Sequence, residues 1–253
     1  MTVAFITLIL TIFFAVFAYR RPRLERKLLK KIPLVDWLNL LVLPIVVYFT
    51  LVSIIKAIIL RPRYDFLDFE DISLFSLLVC FLLLTFVGNT IHFCGKVLSR
   101  YIPVNPLDIV YQVNEVFHDK LSHYMSFMGC LVTFFLIGIL EINYPALTMM
   151  KDNQYAALLS MGIIGGGAAT KGVFTWQGRN YRPISWLNFI LLCTQIALFL
   201  SYDLSYRYYQ YNTFLLSFMV TVLVMFSSRT IMILTNLDEK HRMRYIAKLL
   251  SLR

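Results

Sequence analysis

Residues 2–31 read TVAFITLILTIFFAVFAYRRPRLERKLLKK: eighteen residues without a charge, then seven Lys or Arg within twelve. A helix needs about 20 predominantly apolar residues to cross a bilayer. A cleaved signal peptide carries its positive charges ahead of the apolar stretch. Here Arg20, Arg21, Arg23, Arg26, Lys27, Lys30 and Lys31 follow it. The segment therefore reads as a retained anchor with its N-terminus outside and its basic flank in the cytoplasm.

Six more apolar runs follow, so the spans are expected at 2–19, 36–58, 72–93, 124–147, 155–173, 184–202 and 212–235. Alternation puts 20–35, 94–123, 174–183 and the tail from 236 on the cytoplasmic side. That side, with Lys171 at its border, holds eighteen of the 24 Lys and Arg; the other side holds five, and Arg229 lies within the last run. The bias agrees with the positive-inside rule and places the C-terminus in the cytoplasm.

Composition agrees. Of the 253 residues 59% are hydrophobic and 15% charged, against about 25% charged in soluble domains. The expected fold is all-α, a polytopic transmembrane bundle of about seven spans forming one integral membrane domain over 1–253. The net charge of +10 sits in short clusters between apolar runs. It points to topology and to anionic lipid headgroups, not to nucleic acid. Cys80, Cys94, Cys130 and Cys193 form no C-x-x-C pair and read as reduced, buried small hydrophobes.

Several connecting segments are distinctive. Asn105-Pro106 is a helix-start pair, and no strong breaker follows before Glu141. A helix of about 36 residues would span about 54 Å, so its first half is expected to project into the cytoplasm or to bend along the headgroups. Leu107, Val110, Val113, Phe117, Leu121 and Tyr124 give that half one apolar face, for the protein's own loops or a partner helix. The tail 237–253 carries Met243, Ile246, Ala247 and Leu250 on one face amid basic residues, an amphipathic helix suited to a membrane surface. The outer segment 61–71 alternates acid and aromatic residues, and Tyr202, Tyr206, Tyr208, Tyr209 and Tyr211 read as an aromatic belt.

Ionisable residues at membrane depth mark sites or necessary pairs. The sharpest pattern is Glu115-x-x-His118-Asp119-x-x-x-His123. Glu-x-x-His is the ligand pair of carboxylate-bridged metal sites in helical bundles. His92, Glu115, His118 and His123 would suit zinc or iron, with Asp119 orienting His123. Five residues separate His118 from His123, so on a regular α-helix they point about 140° apart. Arg229 is expected to snorkel, to pair with Glu115 or Asp119, or to meet an anionic headgroup. Gly162, Gly165, Gly166 and Gly167 read as a close-packing face or a hinge. Gly166→Leu is expected to disrupt packing, and Gly88→Ala to do less.

Histidines and carboxylates near the membrane surface resemble those of alkaline-ceramidase-like membrane hydrolases. Those place a His-x-x-x-His pair near the final span, where 212–235 has no His. The His118–His123 spacing is similar to that in membrane fatty-acid hydroxylases, which use a larger His set than the four here. No family is assigned on these grounds. Two functions compete: a pore, transporter-like bundle or complex subunit acting through its cytoplasmic face with a protein partner or a second copy, and a metal-dependent lipid hydrolase at the inner leaflet.

Overall fold

The computed structural model describes residues 2–18, 25–174, 182–203 and 211–235. The helices among them are α1 (Thr2–Ala18), α2 (Leu34–Ile59), α3 (Asp71–Leu98), α4 (Ile109–Asn143), α5 (Asp152–Phe174), α6 (Arg182–Leu198, continued as a π turn to Asp203) and α7 (Thr213–Thr235). Six of them, α2 to α7, are long and apolar enough to cross a membrane. The 17 residues of α1 reach about 26 Å, a little short of the roughly 30 Å hydrocarbon core.

Large apolar side chains are common on the surface as well as in the core, and several polar ones are fully buried. Leu77, Val79, Leu83, Ile163, Trp186 and Ile190 are at least half exposed, while Ser122, Glu141, Asn143, Gln195 and Ser217 are fully buried. Exposed apolar surface on this scale belongs in hydrocarbon. Apolar burial cannot drive helices together inside lipid, so close backbone approach and polar contacts must.

Two helix pairs show this approach. Helices α3 and α4 run antiparallel, and a Cβ on Gly88 would stand 2.6 Å from the Ser126 backbone nitrogen. A Cβ on Gly129 would stand 2.8 Å from the Phe81 carbonyl. Helices α5 and α7 run parallel: Gly162 and Gly166 lie against Val220 and Val224, and the Ser217 hydroxyl donates to the Leu158 carbonyl at 2.9 Å. The glycine run therefore sits in an unbroken helix. Gly167 faces open space, with nothing near its Cβ position. Gly88, chosen as the milder control against Gly166→Leu, is itself tightly packed, because its Cβ position meets backbone.

Buried charge fastens both ends. At one, Asp36 of α2 accepts from Lys96 at 2.7 Å and Arg100 at 3.0 Å, binding the start of α2 to the end of α3. At the other, the Glu141 carboxylate accepts from Arg61 at 3.1 Å, the Thr213 hydroxyl at 2.9 Å and the backbone N–H groups of Phe214 at 2.7 Å and Leu215 at 3.0 Å. One side chain of α4 thus caps the first turn of α7, where orphan amides and the helix dipole favour an anion. Asn143 makes two hydrogen bonds to the Leu67 backbone and holds the 61–71 segment against the bundle. Beside it the Tyr144 hydroxyl donates to Asp71 at 2.5 Å. Its ionisation is pushed up, first by burial and then by that carboxylate.

One local expectation changes, and two local features are added. The long helix starts at Ile109 rather than 105, capped by Asp108, which accepts from the Val110 amide at 2.8 Å. Asn105 instead folds its side chain onto the Leu107 amide at 3.1 Å, a local turn that competes with helix entry. Helix α2 contains a π turn at Leu38–Val42, just before Pro44. Proline lacks the N–H that would reach the Leu40 carbonyl, and the widened turn absorbs the mismatch. Among the described residues of the loop after α1, β1 (Leu28–Leu29) pairs with β2 (Ile32–Pro33) in a hairpin that turns through Lys30 and Lys31 at φ 50° and 67°. The tail 237–253 and Tyr206, Tyr208 and Tyr209 lie outside the described residues.

Candidate functional site: a cavity with a histidine end

A second π turn, Val116–Leu121, interrupts α4 where His118 lies. An i→i+5 ladder closes its turn after about five residues instead of four. His118 and His123, divergent on a regular helix, therefore share a face. Both rings lie on His92 of α3, with centroids 4.9 Å and 4.6 Å away. The three histidines picked out in the sequence thus come together in one stack. Gly95 makes room for it, since a Cβ there would stand 2.7 Å from that of His118.

The carboxylates stand behind the stack. Glu115 lies 4.0 Å from His118 Nδ1, and Asp119 3.7 Å from His123 Nδ1. The Nδ1 atom of His92 is 3.2 Å from the His118 carbonyl. A carbonyl only accepts, so His92 Nδ1 carries a proton and donates it there. The same carbonyl accepts from the Ser122 hydroxyl. Among the described residues, no group of three or more His, Cys, Asp or Glu is placed so that it could hold a metal ion. The rings stack at tilts of 32° and 38° rather than turning their nitrogens to one point. Arg229 is half-buried near the end of α7, while Glu115 and Asp119 each stand beside a histidine of their own helix.

Two members of the stack, His92 and His123, open onto a cavity of about 250 Å³ among α1, α2, α3, α4 and α5. Its polar residues are Asn39, Thr85, Asn89, His92, His123, Ser126 and Lys171. Asn89 donates to the Asn39 carbonyl at 3.1 Å, joining α3 to α2 next to the histidines. Gly172, beside Lys171, approaches Phe127 and Val16, so the end of α5 reaches the same region. The remaining wall is apolar: Ile12, Val16, Leu43, Val47, Phe86, Phe127 and Phe134 among others. A second cavity of about 90 Å³ lies deeper and shares Ile12, Val16, Phe127, Cys130 and Phe134 with the first. Polar groups gather at one end of the cavity, and aliphatic and aromatic side chains wall the other.

Sequence reasoning found His92, His118 and His123 by composition and spacing. It missed the cavity, because Val47, Phe86 and Phe134 look like any other span residues until the helices are placed. It also missed Glu141, although a lone carboxylate inside an apolar run was a visible signal. Compared with protein-family models, curated proteins and solved structures, the chain finds no match.

Proposed function

We propose that this chain is a seven-span membrane protein, N-terminus outside and C-terminus cytoplasmic, that works as a transporter-like bundle binding an amphiphile. The cavity that opens at the His92–His123 pair carries this reading: it is polar at one end, apolar at the other, and five helices wall it. The helix directions support the topology. Helices α1, α5 and α7 run one way: Gly165 meets Ile9, and Gly172 meets Val16. Helix α2 runs against α3, and α3 against α4, as alternation requires. With the basic clusters on the cytoplasmic side, the cavity opens at the inner leaflet.

The test is native mass spectrometry of the full-length protein in lipid nanodiscs. The parent should retain a bound amphiphile, or take one up from an added lipid mixture. Ala15→Phe and Cys130→Phe, each filling the cavity from a different helix, should reduce that occupancy several-fold. A parent that carries nothing and takes up nothing would defeat the reading.

The metal-dependent hydrolase competes through one observation, the closeness of three histidine rings to two carboxylates. Zinc or iron on His92, Glu115, His118 and His123 would require those rings to rotate out of their stack. Elemental analysis of the parent and of His118→Ala separates the readings. Stoichiometric zinc or iron in the parent, lost in the variant, would favour the enzyme.

A further inference from the structure

Outside the cavity, the start of α2 meets the end of α3 beside the hairpin of β1 and β2. That hairpin turns through Lys30 and Lys31, both at positive φ. Two-residue turns of this kind ordinarily take Asn-Gly, because most side chains resist positive φ. Two lysines hold the position here, and the backbone around them is tied down. The Trp37 indole donates to the Leu29 carbonyl at 3.2 Å, and the Tyr101 hydroxyl to the Lys31 carbonyl at 3.2 Å. The Leu34 amide donates to the Lys27 carbonyl at 2.7 Å. The hairpin is thus fixed to both helices, while Arg26, Lys27, Leu28, Leu29, Lys30 and Lys31 are all exposed.

Charge sets this corner apart. Elsewhere at helix ends the cations are answered: Arg61 by Glu141, Arg63 by Asp65 and Asp71, Lys96 and Arg100 by Asp36. Among the described residues, Arg26, Lys27, Lys30 and Lys31 enter no ion pair. Glu25 is the one acid in the stretch 25–35. Beside these cations an apolar groove of about 280 Å³ runs between α2 and α3, lined by Ile32, Trp37, Leu40, Phe93, Val97 and Leu98 among others. Its charged member, Asp36, is already taken by Lys96 and Arg100. Ile32 belongs to the hairpin itself, so the groove and the basic turn are continuous. Both helices are long and apolar enough to cross a membrane, so their joined ends stand at one face of the bilayer.

We infer that this corner binds an anionic phospholipid of the surrounding leaflet. The headgroup phosphate rests against Lys30 and Lys31 with Arg26 and Lys27 nearby, and an acyl chain lies in the groove past Trp37 and Val97. Basic pockets between membrane helices take charged lipid headgroups from the cytoplasmic leaflet. The orientation proposed above puts the hairpin on that side. The site is separate from the cavity at the histidines and stands or falls independently of the amphiphile reading.

The experiment uses the full-length protein with Trp176 and Trp186 changed to phenylalanine, which leaves Trp37 as the one indole. It is placed in phosphatidylcholine nanodiscs in which a rising fraction of the lipid is dibrominated phosphatidylcholine or dibrominated phosphatidylglycerol. Bromine on an acyl chain quenches a tryptophan that it touches. Nanodiscs offer both leaflets, so the readout does not depend on orientation. Trp37 should be half-quenched at a roughly fivefold lower fraction of phosphatidylglycerol, the worth of about one basic residue at an anionic surface. Raising salt from about 0.1 to 1 M, which shortens the screening length from about 10 to 3 Å, should remove most of that preference. Lys30→Gln with Lys31→Gln should bring the two lipids level. Lys30→Arg with Lys31→Arg should keep them apart, as should Lys151→Gln at the other end of the bundle. Equal quenching by both lipids in the parent would overturn the inference, and so would an undiminished preference in the double glutamine variant. Relief of the quenching by about 10 mM inorganic phosphate would assign the lysines to a soluble anion and overturn the lipid. Where the double glutamine variant does not fold, the parent's ratio and its loss in salt still decide.

Discussion

At the residue scale, Glu141 shows how a single buried charge organises a lipid-embedded fold. Its carboxylate answers Arg61, Thr213 and two amides of α7. Removing one partner of such a set leaves the others buried and unanswered. Glu141→Leu should therefore cost about 3–5 kcal/mol in reversible unfolding from mixed micelles. A loss below about 1 kcal/mol would mean that the cap contributes little. The glycines give a test with two signs. Gly166→Ala would bring a methyl within 2.8 Å of the Thr221 carbonyl and should destabilise by about 1–3 kcal/mol. Gly167→Ala, one residue on, meets nothing. It should be neutral or stabilising by up to about 1 kcal/mol, since glycine is the poorer helix former. Equal effects at both positions would contradict the α5–α7 contact.

At the element scale, the π turn of α4 decides whether there is a site at all. It lets residues five apart share a face and aims His118 and His123 at His92. Deleting exposed Lys120 would bring the two histidines four apart on a regular α-helix, which also keeps them on one face. The deletion should keep amphiphile binding within a few-fold of the parent. Inserting an alanine after Lys120 should turn the pair apart and weaken binding by more than tenfold. Should the two variants behave alike, the histidine geometry does not matter for binding. The sequence carried the apolar runs, the histidines and their carboxylates, because hydropathy and spacing are local properties. It did not carry the π turn. A regular 100° step per residue put His118 and His123 on different sides, and only packing against Gly95 of α3 shows where the extra residue goes. The helix start at Ile109 was illegible for a similar reason: Asn105 and Asp108 are both competent caps, and their side-chain hydrogen bonds separate them.

At the scale of the whole molecule, large apolar side chains cover the outside and also fill most of the interior, with a few buried polar and charged groups set among them. Asp36 with Lys96 and Arg100 closes one end, and Glu141 with Arg61 closes the other. Topology is tested by single cysteines in a chain whose four native cysteines are replaced by alanine. With an impermeant thiol reagent applied outside, a cysteine at Lys151 or Arg207 should react and one at Arg179 should not. Equal labelling at all three would rule out seven crossings with the basic face inside. The central claim, that the cavity at the His92–His123 pair holds an amphiphile, is tested most directly by a high-resolution density map of the full-length protein in nanodiscs made from its native membrane lipids. The account predicts elongated density, its polar end toward His92 and His123 and its chain along Phe127 and Phe134. A cavity closed by inward rotation of Phe86, Phe127 and Phe134, with no density between them, would contradict it.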